Sequence, residues 1–208
     1  IKTKLQDLNI KVKSFNSLLL WEPWSILKDD GNPYKVFTPF YKKGCLNFDE
    51  PRLPKPKPNS LKLYYEKNLG KKLEALALIL NKEWEKKIAT NWDINEEAAH
   101  KRLDDFISKG IEGYKSARNF PNKKNTSRLS AYLHWGIISP NNIWYKLLRE
   151  KKLKKESLNN DIDCFLSELG WREFSYSLLY NFQNLPNSNL QKKFDSFPWK
   201  NSKFLIDK

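Results

Sequence analysis

The sequence predicts a mostly α fold preceded by the tail of an α/β domain, with the change of texture just after residue 46. Apolar residues before that point come in short extended runs, whereas from about residue 66 they recur every three or four positions. Between the two stretches Pro51, Pro54, Pro56 and Pro58 alternate with Arg and Lys, a spacing that forbids helix and favours an extended, solvated linker. The expected division is residues 1–46 as the C-terminal part of an α/β domain, 47–65 as a Pro/Lys-rich linker and 66–208 as a helical domain.

Within the first stretch, Lys2 to Leu8 reads as the close of a helix, Ile10, Val12 and Phe15 as an extended segment, and Ser17 to Leu20 as a short apolar run. Gly31-Asn32-Pro33 marks a turn before Tyr34-Lys35-Val36-Phe37. In the helical part, Leu69, Leu73, Leu76, Leu80 and Trp84 fall on one face of a helix. Asp93 with Glu96 reads as a capping box that opens a helix through Ala99, Leu103 and Phe106, ending near Gly110. Ser139-Pro140 reads as the N-cap and first residue of a helix carrying Ile143, Leu147 and Leu148. A longer helix is expected from Asp161 to Phe182, and no internal repeat is present.

Composition narrows the function classes. With 39% hydrophobic and 14% aromatic residues the chain has ample material for a packed core and falls outside the disordered class. No apolar run reaches the length of a membrane span and no signal-peptide pattern opens the chain. Cys45 and Cys164, far apart, argue for a reducing compartment, which makes the cytoplasm the expected location. His100 and His134 offer no zinc-site spacing, so no metal is expected. Position 1 is Ile and the sequence has no Met, from which a fragment of a longer chain is expected. The net charge of +14 suits a polyanionic partner. Only six of the 38 basic residues are Arg, however, and Lys with abundant Asn and Ile is also what an AT-rich genome writes into any protein.

Two segments carry candidate chemistry. Tyr114-Lys-Ser-Ala-Arg118-Asn-Phe-Pro121 leads into Asn125-Thr126-Ser127-Arg128-Leu129-Ser130-Ala131-Tyr132-Leu133-His134-Trp135-Gly136, which sets three hydroxyls just before or inside a short predicted helix. Hydroxyls and free N–H groups at a helix start suit phosphate oxygens, although an ordinary cap is the commoner use of a Thr-Ser pair. In Phe165-Leu-Ser-Glu168-Leu-Gly-Trp171-Arg172-Glu173-Phe174, helical spacing places Phe165, Glu168, Trp171, Arg172 and Ser175 on one stripe. A carboxylate, an indole and a guanidinium on one face are odd for a core stripe, and taken alone these residues read more readily as a Glu168–Arg172 surface pair beside a half-buried Trp171.

Together these segments resemble the DNA photolyase and cryptochrome family. Tyr-x-x-x-Arg-x-x-Pro with Thr-Ser-x-Leu-Ser-x-Tyr-Leu-His-x-Gly is similar to its flavin cradle, and Glu-Leu-x-Trp-Arg-Glu-Phe to its lesion-facing helix. Tyr34-Lys-Val-Phe-Thr-Pro-Phe40 resembles the stretch that closes its N-terminal antenna domain. The resemblance implies an α-helical FAD-binding domain, incomplete here, behind the tail of a Rossmann-like α/β antenna domain. It implies FAD held by Tyr114, Thr126, Ser127, Arg128, Leu129 and Ser130, with Phe165 and Arg172 beside it; Arg118 on the DNA backbone; Trp171 as the wall for a flipped-out thymine dimer; and Glu168 accepting a hydrogen bond from the base edge. Arg172 shares that DNA-facing role, and Trp199 in Phe197-Pro198-Trp199 matches the outermost tryptophan of the chain that photoreduces the flavin. Ala131 stands where the family usually has Pro, which loosens a turn.

The activity so implied is light-driven repair of cyclobutane pyrimidine dimers, in which reduced FAD donates an electron to the dimer and recovers it, within damaged double-stranded DNA and by a monomer. A second antenna chromophore, folate or deazaflavin, would bind outside this chain, and later helices that complete the flavin pocket would follow Lys208, so the fragment alone is expected to be inactive. Two alternatives remain: a cryptochrome-type blue-light photoreceptor, and a non-enzymatic basic helical module that binds nucleic acid.

Overall fold

The computed structural model describes residues 1–65, 70–78, 82–153, 156–198 and 200. They fall into two compact units, residues 1–20 with 51–166 and residues 21–50 with 167–208. As expected, the structure is mostly helical. Among the described residues no strand forms, and the single β feature is an antiparallel bridge between Leu27 and Pro33. No described helix is long and apolar enough to cross a membrane.

The first unit opens with α1 (Lys2–Gln6), shorter than the expected close at Leu8, and an extended segment follows it. Asn16 then shapes a turn, its Oδ1 accepting from Leu18 N and Leu19 N at 3.1 and 3.0 Å, and the chain buries Leu19 and Leu20. From Arg52 to Tyr65 no helix forms, in keeping with the prolines. The first residues of this stretch are tied down: Tyr145 donates its hydroxyl to the Pro51 carbonyl and Asn141 Nδ2 donates to the Arg52 carbonyl at 2.8 Å.

Among the described residues the expected apolar face over positions 69–84 is not continuous. Leu69 and Leu80 lie outside the described residues, and Leu76 and Trp84 are 50% and 55% exposed. Gly70 and Ala77, at φ +135° and +49°, leave the helical region on either side of a tight turn at Leu73–Leu76. Leu73 and Leu76 therefore do not share one continuous helix with Trp84 in α2 (Glu83–Ala89).

Helix α3 (Glu96–Asp105) is capped by Asn95, whose Oδ1 accepts from Ala98 N at 2.8 Å; the expected cap, Asp93, stands two residues too early. Asn95 offers the same short acceptor side chain and sits directly before the first turn, where Glu96 and Glu97 favour the helix dipole. Asp93 instead gives its carbonyl to the Tyr132 hydroxyl at 3.0 Å. As predicted, the helix buries Ala99, Leu103 and Phe106 and ends at Gly110, through a wider π turn at Phe106–Gly110.

Two short helices follow, α4 (Tyr114–Ala117) and α5 (Ser130–His134). Helix α6 (Pro140–Leu153) begins where Ser139-Pro140 predicts, with Ser139 Oγ accepting from Asn142 N at 3.1 Å, and it buries Ile143, Trp144 and Leu147 on one face. The long helix α7 (Asn159–Asn181) also lies where expected. Its buried positions, Ile162, Phe165, Leu166, Leu169, Gly170, Glu173, Phe174 and Ser177, recur at alternating spacings of three and one and make one stripe down the helix.

The second unit contains α7 from Ser167 onward. The Gly31 turn is made as the sequence reads: Gly31 adopts φ +76°, Lys28 N donates to Asn32 O at 2.9 Å, and the Asp30 carboxylate accepts from Asn32 N at 2.9 Å. That last bond holds the Asp30 pKa below its ordinary value. Residues 37–47 then wind as successive helical turns that bury Phe40, Tyr41, Gly44 and Cys45. Tyr41 lies against α7 at Gly170, where an added Cβ would come within 2.4 Å of Tyr41 Cδ2, so only glycine admits the ring there.

Candidate functional site

In the first unit the candidate residues gather around α4 and the segment before α5. Asp161, near the start of α7, accepts from Gly113 N at 2.9 Å and from Lys115 N at 2.8 Å, satisfying N–H groups that the short α4 leaves open. This fixes Tyr114, which is buried edge-on to Phe165 with ring centroids 5.3 Å apart and to Phe106 at 5.6 Å. The Arg118 guanidinium lies over the Tyr114 ring at 5.7 Å. Phe165 is itself buried in this aromatic cluster. The structure therefore brings Tyr114, Arg118 and Phe165 together.

Residues 125–129 are irregular and lead into α5, so Thr126 and Ser127 precede the helix and Ser130 begins it, as expected. Neither hydroxyl caps the helix; Ser127 Oγ accepts from Leu129 N at 3.3 Å within the loop. Leu129 is fully buried and anchors the segment, while Thr126, Arg128 and Ser130 are exposed. Arg128 adopts φ +53°, an uncommon left-handed conformation for a residue with a Cβ, and its guanidinium stands over Trp92 at 5.0 Å. Arg102 approaches the same ring at 5.7 Å. Thr126 and Ser127 line a cleft of about 560 Å³ whose basic members are Lys101, Arg102, Lys109 and Lys124. Arg102 Nε is buried without a hydrogen-bond partner among the described residues.

In the second unit α7 carries Glu168, Trp171 and Arg172. Trp171 is 45% exposed, while its neighbours Gly170, Glu173 and Phe174 are buried. Its indole is stacked on Phe37 with centroids 3.7 Å apart and planes 11° from parallel. Glu168, one turn earlier, is half-buried. Arg172 donates from Nη1 to Glu173 Oε1 at 3.0 Å and lies over Tyr176 at 5.1 Å, so the adjacent carboxylate is one of its partners. Glu173 also accepts from Trp21 N at 3.3 Å, which accounts for a carboxylate in the buried stripe. The predicted stripe divides accordingly, Phe165 belonging to the buried face and Trp171 and Ser175 to the exposed one. Trp199 lies outside the described residues.

Asp161, Arg102, Trp92 and Phe37 also shape these sites. Asp161, Phe37 and Trp92 meet partners distant in the chain, so no local signal marks those contacts.

The family model for DNA photolyase matches residues 1–59. A deoxyribodipyrimidine photo-lyase of Agrobacterium fabrum is 38% identical over 201 residues, 96% of this chain and 41% of that protein. Cryptochrome-2 of Arabidopsis thaliana is 30% identical over 96% of this chain and 34% of its own length. Among solved structures, that of a bacterial class III photolyase from Agrobacterium tumefaciens superposes with a TM-score of 0.86 at 37% identity, covering 99% of this chain and 42% of that one. The chain thus spans about two fifths of the length of the photolyases it matches. Sequence identity sustained through nearly the whole chain and a shared backbone course lead to one assignment: this chain belongs to the DNA photolyase and cryptochrome family.

Proposed function

We propose that the protein repairs cyclobutane pyrimidine dimers in damaged double-stranded DNA by light-driven electron transfer from reduced FAD, as a deoxyribodipyrimidine photo-lyase. The observation that carries this reading is the outer face of α7, where Glu168 and the half-exposed Trp171 lie one turn apart on a helix whose other face is buried. A dimer inside the base stack cannot reach a buried cofactor, so the lesion must be flipped out of the duplex. Trp171 then offers a π face to the extruded bases, and the Glu168 carboxylate accepts a hydrogen bond from a base edge. Arg118 neutralises a backbone phosphate and sets the register of the duplex.

FAD would be held by Tyr114, Thr126, Ser127, Arg128, Leu129 and Ser130, with Phe165 and Arg172 beside it. Hydroxyls of Thr126 and Ser127 share a cleft with Lys101, Arg102, Lys109 and Lys124 and with Asp93 and Asp105, of which Asp105 is paired with Lys109 at 3.0 Å; the remaining cations and the buried, unpartnered Arg102 N–H suit an anionic diphosphate. When bound and excited by light, reduced FAD supplies the electron that opens the cyclobutane ring and receives it back. Trp199 is assigned to the photoreduction relay. We assign residues 1–46 to an α/β antenna domain, 47–65 to the linker and 66–208 to the helical domain, and we take the protein to act as a cytoplasmic monomer.

The test is blue-light irradiation of the purified full-length protein with dimer-bearing oligothymidylate. Light-dependent loss of dimers is expected. Bound flavin without dimer loss would favour the cryptochrome reading, to which the 30% identity with Cryptochrome-2 points. Absence of flavin would leave a basic nucleic-acid-binding module.

A further inference from the structure

We infer that Phe37 is a positioning residue: with Tyr41 it forms a second aromatic layer that fixes the Trp171 indole as a one-sided platform for a planar base. The inference deepens the repair reading and rests on it. Phe37 lies on Trp171 at a centroid distance of 3.7 Å and 11°. Tyr41 continues the stack, nearly parallel to Phe37 at 5.6 Å and 10°. Phe174 meets both Phe37 and Trp171 edge-on, each at 6.0 Å. Tyr41 is buried, and Gly170 is what allows its ring to lie against α7. Gly170, Tyr41, Phe37 and Trp171 thus form a continuous support that starts and ends on the same helix.

An indole on an exposed helical position samples several rotamers, and a ligand that stacks on it must select one. Here one face of the ring is closed by Phe37 while the side chain stays 45% exposed. The plane is set before any base arrives. A flipped pyrimidine meets a fixed surface, and less conformational freedom is lost on binding than with an unsupported tryptophan.

The test compares full-length protein with Phe37→Leu, Phe37→Tyr and Trp171→Ala variants, measuring flavin content and affinity for duplex oligonucleotides with and without a single thymine dimer. Phe37→Leu keeps apolar bulk and removes the planar layer, so affinity for the dimer should fall about threefold to tenfold. Undamaged-duplex affinity and flavin content should hold. Phe37→Tyr should restore dimer binding, and Phe37→Leu should add nothing in a Trp171→Ala background, since both act through one ring. Dimer affinity unchanged in Phe37→Leu while Trp171→Ala loses it would overturn the positioning role alone. An equal loss of dimer binding, undamaged-duplex binding and flavin in Phe37→Leu would overturn it too, by making the layer ordinary core. Unchanged dimer binding in Trp171→Ala would instead sink the repair reading of α7.

Discussion

Glu168 and Trp171 stand one turn apart and are expected to fail differently when truncated. Stacking on an aromatic is worth about 1–3 kcal/mol per base, so Trp171→Ala should cost roughly tenfold to a hundredfold in affinity for dimer-bearing DNA. Glu168→Ala should weaken binding only modestly and lower the repair yield per absorbed photon, because its contact matters most once the dimer carries charge. Neither change should release flavin, and the three readings on the two variants check all of this together. A further residue-level outcome concerns the thiols. Burial, with the Glu173 carboxylate nearby, pushes the Cys45 pKa far above the ordinary thiol value, so it stays protonated and inert at neutral and mildly alkaline pH. Cys164 is only half-buried. Iodoacetamide should therefore label Cys164 in the native protein and Cys45 only after unfolding, as read by peptide mass mapping.

Among the elements, legibility followed locality. Helices α6 and α7 were readable because their signals, Ser139-Pro140 and a three-to-four residue apolar recurrence, lie within the helices or beside them. The cap of α3 was misplaced by two residues because Asp93 and Asn95 carry equivalent acceptors and only the helix start decides between them. Among the described residues, the backbone conformations at Gly70 and Ala77 interrupt the 69–84 pattern, which is continuous in the sequence. At the candidate site the motif residues were visible, but Asp161 and Phe37, which hold Tyr114 and Trp171 in place, were not. Their pairing is long-range. Two stability outcomes belong here. Ser139→Ala should cost about 1 kcal/mol through loss of an N-cap, and Ile143→Ala about 2–5 kcal/mol through a cavity at a fully buried position, both measured by denaturant unfolding. Asp161→Ala should cost roughly 1.5–3 kcal/mol by freeing two backbone donors from a charged acceptor, and it alone should also speed flavin loss, since α4 carries Tyr114.

For the molecule as a whole, the decisive quantity is the net charge of +14. If that charge serves DNA binding, the affinity of the full-length protein should fall steeply and log-linearly with salt. Arg118→Ala should reduce the slope by about one unit and weaken binding to all sequences alike. A flat salt response would return the lysines to codon bias. Ion pairs leave this net charge unchanged, and exposed ones such as Lys109–Asp105 and Lys86–Glu83 contribute marginally to stability.

The tether at the start of the proline-rich stretch has a consequence for how the chain tolerates change. Because the Pro51 and Arg52 carbonyls are held by Tyr145 and Asn141 of α6, the freedom of that stretch begins at Leu53, and residues 53–63 are almost entirely exposed. Extra residues inserted after Lys57 would lengthen an already open connection, and each doubling of such a loop costs only about 0.6 kcal/mol. The same insertion between Asp49 and Arg52 would pull two carbonyls off their donors and disturb α6 directly. The segment thus has a narrow window in which its length is free to drift between relatives, and an epitope tag placed there should leave the fold's melting temperature almost unchanged.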